Sequence, residues 1–385
     1  MSGKTIGKII FVVFILLSLL VLAALQYAPV YIKNKMISYV HNNTEYELGI
    51  ETLLLGGSSL SIKGVTLKNK ENEETYFKRK KFQTDWIGVK VESITFEGVD
   101  WKTLVFNKIF FAEKLLITGP DIYVFRDKRM PTKYVYKPMP SALFRELTFP
   151  FTVQTLLARD GKVVYEEVTE KTEEKIRVPF TRLYATFYHF SSDPVYISEH
   201  PVTTIDAQAL LFDSVKAEIN YTSNTLDERN LFTLQGNVRT FSATLLNQCI
   251  EPATNVVVED GLINKIVFKF NADENVAKGT VNMDYEHLKL KVLKEKEDKK
   301  TGEKVKKKSG LKTFLANAFV RTRDKDKDET KGEALPVDAP KVYQYTGEIH
   351  FERRKDRFIF NYWWNALKSG IASSVVKVPV EKTQK

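Results

Sequence analysis

The sequence predicts a mainly β protein held in a membrane by one N-terminal helix. Three observations carry that prediction. A seventeen-residue apolar run, Ile9 to Leu25, contains only Ser18 as a polar residue. Beyond about residue 45 the dominant hydrophobic period is two, the period of strands. Aromatic residues make up 12% of the chain, and they suit a half-buried pleated surface.

The apolar run comes first. Carried on to Ile32 through Gln26, Tyr27 and Pro29, it reaches the ~17–25 residues that cross a bilayer core. It is therefore assigned as a transmembrane anchor over 9–32, with Ile9, Phe11, Phe14, Leu17, Leu20 and Leu25 along it. Lys4 and Lys8 ahead of it place residues 1–8 in the cytoplasm. A cleaved signal peptide is the competing reading, but its apolar core is usually ~7–15 residues and ends at a small-x-small site. Both readings send the remainder across the membrane. A short helix over Tyr31 to His41 is expected to follow.

Strand signals then dominate. Leu60 and Ile62 alternate, followed by Val65 and Leu67, with Gly64 shifting the phase as at a bulge. Val215, Ala217, Ile219 and Tyr221 alternate, as do Ile266, Phe268 and Phe270, and Val281, Met283 and Tyr285. Asp160-Gly161, Asp193-Pro194, Ser223-Asn224 and Asp260-Gly261 read as turns between runs. A loose repetition ends three strands at a glycine: Gly64, Gly98 and Gly119.

The C-terminal third is mixed. Between Lys289 and Lys312 eleven lysines face four acids, so most of the net charge of +10 sits in one cluster, read as a lysine-rich loop. Leu311, Phe314, Leu315 and Phe319 have the spacing of an amphipathic helix. With the basic run before it, this is a candidate interfacial element. Thr322 to Pro340 reads as a polar loop, and Phe360, Trp363, Trp364, Leu367, Ile371 and Val375 as a second helical stripe.

No catalytic signature emerges. The chain has no P-loop, dinucleotide fingerprint, nucleophile elbow or H-E-x-x-H. The single cysteine, Cys249, excludes an internal disulfide and a thiolate-rich metal site. His189 and His200 flank Asp193-Pro194 without enough local ligands for a metal. No enzyme activity, cofactor, metal or nucleic-acid partner is predicted.

Three stretches resemble the AsmA-like proteins of the bacterial envelope. They are the anchor leading into Leu60 to Leu67, the segment Ile117 to Arg126, and the longest, Phe232 through Leu293. The resemblance implies a single-pass inner-membrane protein of the Gram-negative envelope, with its bulk in the periplasm. The implied fold is an elongated, curved antiparallel β-sheet groove over 33–293. A lysine-rich loop, amphipathic helix and polar loop follow over 294–340, then final strands and a helix over 341–385. The implied function is handling or transfer of phospholipid or another envelope lipid through an apolar groove, with other envelope proteins as partners. Alternation selects Phe232, Leu234, Ile266, Phe268, Phe270, Val281, Met283 and Tyr285 to line or support the groove. The alternative is a non-enzymatic envelope scaffold or outer-membrane assembly factor with a closed β core.

Overall fold

The computed structural model describes residues 27–170, 172–297, 304–308 and 343–375. The assigned anchor residues Ile9 to Leu25, and the candidate helix of Leu311, Phe314, Leu315 and Phe319, lie outside the described residues. Among the described residues no helix is long and apolar enough to cross a membrane.

Sixteen described strands join in one large curved sheet. A helix over 27–43 (α1) leads into β1 (Tyr46–Gly49), β2 (Thr52–Leu55) and β3 (Ser59–Asn69). Helix α2 (Glu73–Lys80) precedes β4 (Asp85–Glu97), and α3 (Trp101–Asn107) precedes β5 (Phe110–Thr118) and β6 (Asp121–Asp127). Next come α4 (Pro140–Glu146), β7 (Phe151–Val168), β8 (Lys175–Ser191), α5 (Pro194–Glu199), β9 (Val202–Leu211), β10 (Val215–Asn224) and β11 (Phe232–Val238). After β12 (Phe241–Ser242), a 3-10 turn and α6 (Asn247–Thr254) lead to β13 (Val256–Ala272) and β14 (Val276–Glu297). The described chain closes with β15 (Lys304–Lys308), β16 (Tyr343–Glu352) and α7 (Ile359–Val375).

The sheet is mixed, which corrects the expectation of a purely antiparallel one. β5 and β6 both pair with β7 in parallel, because the chain between β6 and β7 crosses over before re-entering the sheet. Antiparallel neighbours can be joined by tight turns, whereas a parallel pair needs such a crossover. That crossover is a strap over residues 128–139 continuing into α4. Gln83 donates from Nε2 to the carbonyls of Lys128 and Met130 at its start. Further along, the Lys137 amide donates to the Lys355 carbonyl, and Met139 is buried in the C-terminal core. Arg145 then donates to the Thr225 carbonyl and to Asn230 Oδ1.

A crease runs straight across the N-terminal half. Gly64 of β3 stands opposite Glu92 of β4, and Glu92 stands opposite Gly119, the break between β5 and β6. The Gly119 amide donates to the Arg159 carbonyl of β7. Gly64, Gly119, Asp160 and Arg182 all have positive φ, at 58°, 60°, 53° and 48°. Asp160-Gly161 is thus a mid-strand bulge rather than a turn, with register shifts around Gly161. Asp260-Gly261 is likewise inside β13, at a register shift. Bulges bend a strand and raise its twist; register shifts fall in β7 and β8, while β3 and β4 keep register across Gly64. A Cβ on Gly119 would lie 2.5 Å from Glu92 Cδ, and its φ is unfavourable for L side chains by ~1–2 kcal/mol. Gly119→Ala should therefore lower stability by about 1–2 kcal/mol in urea unfolding.

The lysine cluster also departs from expectation. β14 continues to Glu297, and Lys304–Lys308 returns as β15 paired with it. Lysine on an edge strand is a common way to discourage sheet-to-sheet association, so the basic run is compatible with strand as well as loop.

Candidate functional site

Strand pairing lines up apolar side chains across nearly the whole sheet. One row runs Ile62, Ile94, Ile117, Ala158, Ala185, Ala207, Ile219, Gly236, Phe268, Val281 and Gly347. A second runs Leu60, Phe96, Leu115, Leu156, Phe187, Ile205, Tyr221, Leu234, Phe270, Gly279 and Ile349 through the same pairings. At ~4.8 Å per strand these rows span about 50 Å. In the C-terminal half the opposite face is polar: Asn220 donates to Asp206, Thr233 to Asn271, Asn237 to Glu218 and Thr346 to Asn282; in the N-terminal half α2 packs on it through Tyr76 and Phe77 against Phe125. One apolar and one solvated face is the ordinary condition of an antiparallel sheet packed on one side.

Above the crease the phase changes but the apolar side is kept. Val65 packs with Ile62 in one cluster across Gly64. Beyond it a third row forms: Leu48, Leu67, Val89, Ile122, Val163, Phe180, Leu211 and Val215. The αL residues Gly64 in β3, Asp160 in β7 and Arg182 in β8 each go with a half-period change, which is why Gly64 breaks the alternation; β4 changes phase between Val89 and Ile94 without one.

Among the described residues the stripe is closed at one end and open in the middle. All eight residues picked by alternation lie on the apolar face, as the register shows, but none lines an open groove. Phe232, Leu234, Ile266, Phe268, Phe270, Val281, Met283 and Tyr285 are buried in the C-terminal core, each at most 6% exposed. α7 covers them through Tyr362, Ala366, Gly370 and Ser374, its buried stripe. A Cβ on Gly370 would lie 2.6 Å from both Ile349 and Val281. The helix therefore sits almost backbone-to-sheet, and the aromatic stripe seen in the sequence is only its flank. By contrast, Leu67, Val89, Ile122, Val163 and Phe180 are half-buried and belong to none of the buried clusters among the described residues. Ile87, Val124, Tyr165 and Val178 form the next row above, also half-buried. Sequence reasoning missed this set. Leu67, Val89, Ile122 and Val163 are ordinary strand residues, and only the crease and the register bring them into line.

A charged rim ends that open stretch. Arg126 donates to Asp85 through Nε and Nη2, both at 2.7 Å. Lys128 Nζ donates to Glu167 Oε1 at 2.8 Å and the Tyr165 hydroxyl to Oε2 at 2.6 Å. Burial, with Glu167 adding to it, holds Tyr165 protonated well above the usual phenol range. α6 and α7 face this rim. Partial burial and then Lys128 push the Lys368 ammonium down, against the pull of Glu167. On α6, burial and Glu167 push the Cys249 thiol up to about 11. Cys249 should therefore be a poor nucleophile, since only the thiolate reacts. Its reaction with a thiol reagent at pH 8 is expected to be slow in the folded protein and fast in denaturant.

The histidines sit elsewhere. His189 and His200 stack with ring centroids 4.8 Å apart, and His189 Nδ1 lies 2.8 Å from the Tyr196 hydroxyl. Burial, then His200, lowers the His189 pKa. Among the described residues no group of three or more His, Cys, Asp or Glu is placed to hold a metal ion. Neither a protein-family model nor a curated protein matches the chain.

Proposed function

We propose that the chain shelters the acyl chains of a lipid along the apolar stripe, as a non-enzymatic lipid-handling protein of a cell envelope. The observation that carries this is the third row: Leu67, Val89, Ile122, Val163 and Phe180 in register, half-buried and unclaimed by any core among the described residues. An ordinary sandwich would close such a row with a second sheet. Covering it with an acyl chain is favourable by about 0.8 kcal/mol per buried CH₂. The charged rim of Arg126, Lys128, Asp85 and Glu167 offers a polar end for a headgroup. The AsmA-like resemblance points the same way, and with it an inner-membrane anchor and a periplasmic bulk.

The test is native mass spectrometry of the full chain released from detergent, with lipid extraction. Near-stoichiometric lipid is expected for the natural protein. Ile122→Asp, a charge in the open row, should reduce it at least several-fold with the far-UV spectrum unchanged. Lipid-free protein throughout would sink the reading. It would favour the scaffold alternative, which the closed core under α7 supports.

A further inference from the structure

The strand ends on one side of the sheet carry a row of exposed apolar side chains. α3 presents Val105 and Phe106, at 69% and 77% exposed. The approach to β7 presents Leu147 and Phe149, and α5 presents Val195. These short elements all occupy the same rim, because α3 and α4 enter β5 and β7 at their starts and α5 joins the paired ends of β8 and β9. They are also neighbours: Phe110 donates its amide to the Pro150 carbonyl, and Phe144 of α4 packs on Phe190 at 4.8 Å. Single exposed apolar residues need no explanation, but a contiguous set marks a contact surface.

The path of α1 says what the surface meets. Its C-terminal end lies at the opposite rim, where Lys70 donates to the carbonyls of His41 and Thr44. Going back along the helix, Lys33 reaches the Glu51 carbonyl at mid-strand. A helix rises 1.5 Å per residue, so Tyr27 lies about 9 Å farther along, toward the rim where Trp101 of α3 bonds the Gly56 carbonyl. α1 thus points from the far rim toward the rim that carries the exposed side chains, and the apolar run Ile9 to Leu25 precedes that end of it in the sequence. Tyr27, Val30 and Tyr31 are exposed along α1. Lys102 and Lys108 on α3 are exposed beside Val105 and Phe106, while Glu146 and Glu199 are the exposed acids near the other tips. Apolar and aromatic tips flanked by Lys, as on α3, are the composition of an interfacial contact.

We propose that this rim rests on the surface of a lipid bilayer, with α3, the Leu147–Phe149 segment and α5 dipping into the headgroup layer. The sheet then lies along the membrane, its strands rising from it and its apolar rows running parallel to the bilayer. This rests on the anchor reading, with the apolar run Ile9 to Leu25 in the bilayer, and the test separates the two.

Full-length protein with Cys249→Ser is placed in phosphatidylethanolamine–phosphatidylglycerol liposomes. An environment-sensitive fluorophore is attached at one of five positions: Leu17→Cys, Phe106→Cys, Phe149→Cys, Val195→Cys, or Asp213→Cys in the β9–β10 turn at the far rim. Nitroxide lipids are expected to quench positions 17, 106, 149 and 195 several-fold more than 213. Quenching at 17 with none at 106, 149 and 195 would overturn the docking and leave the anchor standing. Quenching at the rim without 17 would support docking and remove the anchor. Rim labels that are shielded only as protein concentration rises, without lipid quenching, would assign the surface to protein contact and overturn the proposal.

Discussion

A Phe270→Asp variant is expected to lose its C-terminal fold, while Ile122→Asp keeps its own. Phe270 is 1% exposed and stacks within a ring cluster that includes Phe232 and Phe268. Truncating a buried Phe costs about 3–5 kcal/mol. Placing an unpaired carboxylate there adds a desolvation penalty of several kcal/mol more. Together these approach the ~5–15 kcal/mol stability of a typical domain. Ile122 is half-buried and lies outside the buried clusters, so a carboxylate there keeps access to water. Trp363 lies 5.4 Å from Tyr221 and 6.4 Å from Phe232, and tryptophan emission should follow the loss of this core. A blue-shifted, cooperative unfolding curve for Phe270→Asp would show that the core is less closed than its burial indicates.

Arg353→Ala should cost about 3–5 kcal/mol, the range for removing one partner of a buried ion pair. The Arg353 side chain is fully buried and bonds Glu274 and the Lys137 carbonyl. Its loss leaves Glu274 with the Tyr136 hydroxyl, at 3.0 Å, as its other partner. It also frees the strap at the point where it meets β16 and the β13–β14 turn. Replacing both charges, as Arg353→Met with Glu274→Leu, should recover much of the loss, because no uncompensated charge then remains. Denaturant unfolding of the two variants measures the difference. Equal destabilisation in both would show that the strap, rather than the charge, carries the cost.

Much of the fold is legible in the residues. Period-two alternation marks β10, β13 and β14 with their correct facing, because each side chain in a strand alternates strictly between faces. The phase shift at Gly64 is visible for the same reason. Gly64, Gly98 and Gly119 share a positive φ, at 58°, 66° and 60°, so the loose glycine repetition has a conformational basis. Asp160-Gly161 misleads, since the same dipeptide serves a hairpin turn or a mid-strand bulge. Only the partner strands decide between them.

The closing of the C-terminal face was not legible. Ala366, Gly370 and Ser374 are too small to register as an apolar stripe, and helical periodicity weights the large residues Trp363 and Leu367 instead. Backbone proximity, not side-chain size, makes those three positions the contact. The sequence by itself determined the β class and the alternating faces. Tertiary structure decided which part of the apolar face stays open among the described residues. Facing is a local property of each strand, whereas covering depends on register across many strands and on where one helix comes to rest.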